Sequence, residues 1–575
     1  MKVHEHEHDT LTRDLSHDIA GGSHTKTLGS LRLRNVVTNE RILIPTPSAD
    51  PNDPLNRTTL FKYYTAIAVC FAMVMCNFLA AGPTIAMVET AQDFFPNWKV
   101  IGLESAIAKT AYFFNCTALF QGIGNLLWMP LINKYGRRPI YVIAFTIYFV
   151  TALWCAFAFQ YANFLVARIV MGIAAGAGEC LAPLTVADIF FLHERGFVMS
   201  IYTAALNLGV GLGLIIDGLI TIKHPWRVIY YVAAALIGTL VVMVILTFPE
   251  TAYNRSAHPE GISTTLHHVS AAYGHGDGNE GPTQAEAETE TETAHKAVER
   301  TDPSVLYQET AEIRACPAKK SWIQELPLFH GTFTEESLLT MALRPIGLLI
   351  LPPVLWATLV QSVTIGFITA VTSNVASAFA TTYDFAAWQS GLCFIAALIG
   401  ALLGIMFGGT TSDRVADFFT NRNEGIREPE MRLPSIMISC ITSPLALILY
   451  GVGIEKKLHW MCPTVGIGLL NFSITQACNV SLVYIIDAYR PIAGEAIITQ
   501  LAFKSCFGFL LGFYTNPWVT KHGYAVAYGE MAAISGGVLL LWIPLYIWGK
   551  RVRIATLKWK IMKYVQWDED REVGE

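Results

Sequence analysis

The sequence predicts an all-α polytopic membrane protein, with twelve transmembrane helices arranged as two pseudo-symmetric bundles of six. Three observations carry this prediction. With 53% hydrophobic and only 15% charged residues over 575 positions, the chain is too apolar for an ordinary soluble protein of that length. Its apolar runs fall into two sets of six, each run long enough to cross about 30 Å of hydrocarbon as a helix, and some ninety polar residues separate the sets. After the second run of each set comes a tight turn of similar design. These read M-P-L-I-N-K-Y-G-R-R-P at Met129–Pro139 and G-G-T-T-S-D-R at Gly408–Arg414, about 280 residues later, a periodicity that points to one plan used twice.

Taken in order, residues 1–60 are polar and lack helical or strand periodicity, so they read as a disordered tail. The alternation His4, Glu5, His6, Glu7, His8 reads as a solvated run rather than a metal site. In Asp50–Asn56 two prolines keep the chain extended just before the membrane. Six spans follow near 63–88, 104–127, 140–159, 163–187, 198–222 and 227–248. From 250 to 340 Thr, Glu, His and Gly dominate, including A-E-A-E-T-E-T-E-T at Ala285–Thr293. Such a stretch cannot bury enough apolar area to fold, and it reads as a linker between the halves. The second set lies near 346–371, 386–409, 434–454, 459–487, 491–514 and 524–549, and residues 550–575 form a basic tail.

Loop charge sets the orientation. With both tails inside, the inner loops hold Lys134, Arg137, Arg138, Arg195, Arg414, Arg422, Arg427 and Arg432, against Lys99, Lys223, Lys456 and Lys457 outside. That asymmetry predicts cytoplasmic termini. The formal charge of −5 sums acidic tails with basic loops and implies no nucleic-acid partner. The 11 cysteines are scattered without CxxC or His-Cys grouping, so they read as small core residues and not as a metal site. No G-x-x-x-x-G-K-[ST] loop binds ATP and no H-E-x-x-H cluster offers catalysis. The chain is expected to be no enzyme and to need no cofactor.

Ionisable groups inside the bilayer cost roughly 2.5–3.5 kcal/mol each, so each requires a partner, a water cavity or a function. In span 4, Arg168, Gly172, Gly176 and Glu179 form one stripe on a helix face. Desolvation penalises the charged form of Glu179, which lets it take up and release a proton as a cavity opens to either side. It is the first candidate for proton or cation coupling, with snorkelling or helix capping as the alternative. Asp217 in span 5 follows Gly209 and Gly213 at four-residue steps and is expected to be buried against a neighbour. Lys504 in span 11 reads either as counter-ion to an acid across a central cavity or as structural. For the substrate cavity the sequence offers the span-10 face Asn471, Thr475, Gln476 and Asn479, with hydrogen bonds between helices as its alternative, and Asn77 in span 1, Asn115 in span 2 and Gln361 in span 7. Gating is expected at the loops. Gly136 permits the turn that carries Lys134, Arg137 and Arg138, while Asp413 beside Arg414 accepts from a neighbouring helix N-terminus. Asp188 and Arg195 flank the turn after span 4, and Arg422, Arg427, Glu428 and Glu430 form ion pairs over the inner mouth.

These residues resemble the signature loop of the major facilitator superfamily, G-x-x-x-D-[RK]-x-G-[RK]-[RK]. The first copy matches at Lys134, Gly136, Arg137 and Arg138 but has Met129 for the glycine and Asn133 for the acid; the second keeps Gly409, Asp413 and Arg414. Arg168, Gly172 and Gly176 resemble the span-4 motif R-x-x-x-G-x-x-x-G, which that family links to proton transfer. L-G-L-I-I-D-G-L-I in span 5 is similar to the antiporter motif G-P-x-x-G-G, with Leu214 for the proline and Asp217 for a glycine. Asp188–Gly196, Pro249–Arg255 and Arg422–Leu433 look like strings typical of fungal transporters in the drug:proton antiporter family with twelve spans. The resemblance implies a proton-coupled transporter of small organic compounds at the plasma membrane, partnered by protons and lipid and acting as a monomer. Uptake of organic cations such as polyamines is the alternative that Glu179 and Asp217 favour, and a non-transporting nutrient sensor is a lesser one.

Overall fold

The computed structural model describes residues 31–32, 47–48, 50–253, 319–329, 331–334, 336–423, 426–489, 492–557 and 559. The His-rich start, most of the linker and the tail beyond 559 lie outside the described residues. Twelve helices of spanning length occur among those described. The first half holds α1 (Thr59–Ala81), α2 (Leu103–Tyr135), α3 (Arg137–Phe157), α4 (Tyr161–Ile189), α5 (Leu192–Ile220) and α6 (Val228–Thr247). The second holds α7 (Pro352–Tyr383), α8 (Ile395–Arg422), α9 (Met437–Glu455), α10 (Met461–Ala488), α11 (Ala493–His522) and α12 (Tyr524–Leu540), which continues as Trp542–Leu557. Eleven are long and apolar enough to cross a membrane; α2 is more polar because it carries Asn115, Gln121 and Asn125.

Packing within one half repeats in the other. In the first half α2 packs on α4, α1 on α5 and α3 on α6; in the second α8 packs on α10, α7 on α11 and α9 on α12. Between the halves α2 meets α11 and α8 meets α5, so every pairing maps onto its counterpart six helices on. The sequence supplies the reason. A Cβ on Gly172 or Gly176 of α4 would stand 2.5 Å from the backbone oxygen of Thr117 or Gln121 on α2. In the second half a Cβ on Gly400 of α8 would run into Gly468 O on α10. Without a hydrophobic drive between helices in lipid, backbone-close packing of this kind is what holds neighbours together.

Several sequence expectations are corrected at element ends. Gly408–Arg414 is no turn; it lies inside α8, whose last residues continue the helix until Arg422. Met129–Tyr135 likewise continues α2, and Gly136 alone, at φ 93°, separates α2 from α3. A helix need not stop where its apolar run ends when polar side chains in its last turns find partners, as Asp413 does in Arg432 and Lys134 in Glu336 O. Pro83 ends the regular part of α1, and a 3-10 turn at Gly82–Ala86 leads into Met87–Phe94. Pro352 and Pro353 divide the expected seventh span, so Leu338–Leu348 forms a separate short helix ahead of α7.

Before α1 the chain is folded, not merely extended. Pro54–Asn56 is a 3-10 turn capped by Asp53, whose Oδ1 accepts from Leu55 N at 2.9 Å. Tyr253 Oη donates to Asp50 Oδ2 at 2.9 Å, and Arg57 pairs with Glu325 at 2.8 Å. Leu31–Arg32 pairs antiparallel with Ile426–Arg427, the one strand pair among the described residues.

Candidate functional site

Between the halves lies a cavity of about 110 Å³, walled by α1, α2, α4 and α5 on one side and α7 and α11 on the other. Its charged lining residues are Glu179 and Lys504. Lys504 Nζ donates to Glu179 Oε1 at 2.9 Å, and Asn125 Nδ2 donates to Glu179 Oε2 at 3.1 Å. The two charged side chains are only 2% and 4% exposed, so each holds the other's charge in a medium that would reject either alone. Because Glu179 belongs to α4 and Lys504 to α11, this pair joins the two halves. Asn77, Asn115, Gln121, Asn207 and Asn516 add amides to an otherwise largely apolar wall that includes Phe114, Leu206 and Ile368. Asn115 Nδ2 is buried with no hydrogen-bond partner among the described residues, a donor open to an incoming acceptor.

Other expected residues lie elsewhere. Asn471 donates to Ile467 O of its own helix, Gln476 is held by Ser435 O and Ser439, and Asn479 is buried; none lines the cavity. That corrects the assignment of these three amides to the substrate cavity: Gln476 is tied to the segment at the start of α9, Asn471 to its own helix, and Asn479 has no side-chain hydrogen bond among the described residues. Gln361 donates to Gln500 at 2.9 Å and borders a smaller adjoining pocket. Arg168 stands behind the wall, donating to Leu79 O and Phe113 O at 2.9 and 3.3 Å with its guanidinium 4.9 Å from the Phe114 ring. Asp217 is fully buried and also outside the cavity lining, against Gly82. Sequence reasoning missed Asn125, Asn207 and Asn516. Asn207 Nδ2 donates to Thr475 Oγ1 at 3.1 Å across the halves. The available signal was only that each is a lone amide inside an apolar run.

On the face where the chain enters and leaves, the gating candidates form two latches. Arg137 pairs with Asp188 at 2.9 Å, both nearly buried, and the Glu250 carboxylate accepts from Arg137 N at 2.8 Å and Arg138 N at 3.1 Å. Glu250 thereby caps the first turn of α3, where unpaired amides and the helix dipole favour an anion. The Arg138 guanidinium donates to Ile245 O and Phe248 O, and Lys134 Nζ to Glu336 O. Arg195 donates to Ala187 O and Phe190 O at the end of α4. In the second half Asp413 pairs with Arg432 at 2.8 Å, and Arg432 also reaches Asp487 at 3.6 Å. A Cβ on Gly196 of α5 would stand 3.0 Å from Asp413 Oδ1, so this latch abuts the first half. Asp413 is thus partnered by Arg432, and its neighbour Arg414 is exposed to solvent. Glu428 pairs with Lys550 and Glu430 with Arg553. In the loop before α9, burial and then the neighbouring Arg432 push the Arg427 guanidinium below its ordinary value. Replacing Glu250 with Ala is expected to lower stability by about 1 kcal/mol, as lost helix caps do. The thermal midpoint of the detergent-solubilised chain measures this, and Glu250→Gln is expected to lose less.

Comparison with known proteins identifies the architecture. The family described as Major Facilitator Superfamily matches residues 66–489. The chain belongs to the major facilitator superfamily. Proteins that resemble it include Protein HOL1 of Saccharomyces cerevisiae, 24% identical over 552 residues, covering 90% of this chain and 91% of that protein. MFS transporter cpaT of Aspergillus oryzae is 26% identical, covering 76% of this chain and 77% of its own length. Among solved structures, the proton:xylose symporter XylE bound to 6-bromo-6-deoxy-D-glucose matches with a TM-score of 0.59 at 15% identity, over 85% of this chain and 97% of that one. The human organic anion transporter MFSD10 (TETRAN) matches with a TM-score of 0.52 at 13% identity, over 84% of this chain and 99% of that one. At such identities these structures speak for the fold. The protein is a multi-pass membrane transporter of this superfamily.

Proposed function

We propose that this transporter exchanges small organic compounds for protons across the plasma membrane, in the manner of the drug:proton antiporter family, as a monomer with both termini cytoplasmic and no cofactor. The observation that supports it best is the Glu179–Lys504 pair, a titratable link between two halves that lines the cavity between them. A proton on Glu179 releases Lys504 and removes one tie between α4 and α11, which biases the equilibrium between cavity orientations. The apolar wall with five amides suits a compound with a hydrophobic body and a few polar groups.

Uptake of organic cations is the second reading, favoured by Glu179 being the one carboxylate that lines the cavity among the described residues. A cationic substrate would compete with Lys504 for it. Asp217 lends that reading nothing, since it lies outside the lining.

The test is flux into proteoliposomes of a panel of labelled neutral and cationic organic compounds, with and without a pH gradient. Antiport predicts that a transported compound concentrates on the acidic side and that collapsing the gradient releases it. Equal accumulation with and without the gradient would remove proton coupling from the account. Competition confined to cationic compounds would decide for the second reading.

A further inference from the structure

The first half holds a second pair of buried ionisable groups, behind the cavity wall. Asp217 of α5 and Arg168 of α4 are both fully buried. Among the described residues neither Asp217 oxygen has a hydrogen-bond partner, and Arg168 Nη2 lacks one too. The remaining Arg168 donors are spent on the neutral carbonyls of Leu79 and Phe113. Around Asp217 the packed elements contribute little charge. The α1 break presents Gly82, whose missing side chain leaves room for Oδ2, and the approach to α8 presents the backbone of Trp388 and Gly391 beside Gly218. Leu79, whose carbonyl takes one Arg168 donor, lies one helical turn before Gly82, against which Asp217 packs, so both charged groups sit at the same end of α1.

An isolated guanidinium in the wall of a lipid-embedded bundle is costly, and so is an isolated carboxylate. Glu179 is already neutralised by Lys504, so it does not balance Arg168. One orphaned cationic donor and two orphaned anionic acceptors in the same region are complementary in sign and in hydrogen-bonding capacity.

We propose that Asp217 is the counter-charge of Arg168, a positioning residue that offsets the buried guanidinium and keeps it seated against Phe114 in the cavity wall. This assignment stands apart from the coupling role of Glu179. It gives Asp217 a purpose where the antiporter motif has glycine, and it places that purpose outside substrate contact. Phe114 lines the cavity on its other side, so the pair fixes one wall of the site from behind.

The test is a double-variant cycle on the full chain in detergent at neutral pH, read by the melting midpoint from tryptophan fluorescence and by the yield of monodisperse protein. Asp217→Asn and Arg168→Gln each leave one buried charge unbalanced, and each is expected to lower the midpoint by roughly 5 °C or more, or to yield no folded protein. The combined variant Arg168→Gln/Asp217→Asn is expected to melt above both single variants, because no lone charge remains. A purely steric part for Asp217 gives no such rescue. Losses that add in the combined variant, a combined variant that also fails to fold, or an Asp217→Asn protein that melts like the parent would each overturn the proposal.

Discussion

Glu179→Gln is expected to abolish gradient-driven accumulation while leaving exchange of substrate for substrate. Glutamine keeps the size of the side chain and an oxygen for Asn125 but neither the charge that holds Lys504 nor the capacity to bind a proton. With one proton exchanged per substrate, a pH difference of one unit supports a concentration ratio of about ten, and the variant should fall to about one. The substitution also strands Lys504, which is 4% exposed, at a cost on the order of 3–5 kcal/mol. A general loss of fold must therefore be separated from a loss of coupling. Glu179→Gln/Lys504→Met removes both charges and is expected to regain the melting midpoint without regaining accumulation. Accumulation restored together with stability would mean that the acid matters only for folding.

Gly400→Leu is expected to be the most damaging single substitution for the fold. A Cβ at this position would meet the Gly468 carbonyl oxygen on α10, with Phe472 N at 3.1 Å beside it. Both obstacles are backbone in a long helix, so neither can swing aside as a side chain would. The pair α8 and α10 would have to separate along its length, and overpacking of this kind exceeds the usual cost of about 1–3 kcal/mol. Size-exclusion recovery should show little monodisperse protein. Gly537→Leu on α12 is the control, because a Cβ there would find nothing within 4 Å, and it should change stability by less than about 0.5 kcal/mol. Equal recovery of the two variants would show that the close approach of α8 and α10 is not needed.

The two bundles were legible because a run of lipid-crossing length is a composition signal and needs no knowledge of partners. Glu179 was legible for the same reason, as an acid inside such a run. Lys504 was legible as a counter-ion to some acid across the cavity, but its pairing with Glu179 was not, since the two lie 325 residues apart in sequence and only the packing of α4 near α11 makes them neighbours. The α10 amides misled because 89% of that helix's apolar window is buried. A helix covered on every side shows no periodicity that separates a cavity face from faces packed on other helices. The end of α8 misled for a different reason: G-G-T-T-S-D-R is turn-like in composition, yet its backbone stays helical as far as Arg422.

At the centre of the account is a proton that Glu179 takes up and gives back while it is tied to the opposite bundle. Infrared difference spectra of the purified protein between neutral and acidic pH address this without a known substrate. A carboxylic-acid C=O band that grows on acidification in the parent and is missing in Glu179→Gln is the predicted result. The same band persisting undiminished in Glu179→Gln would contradict it.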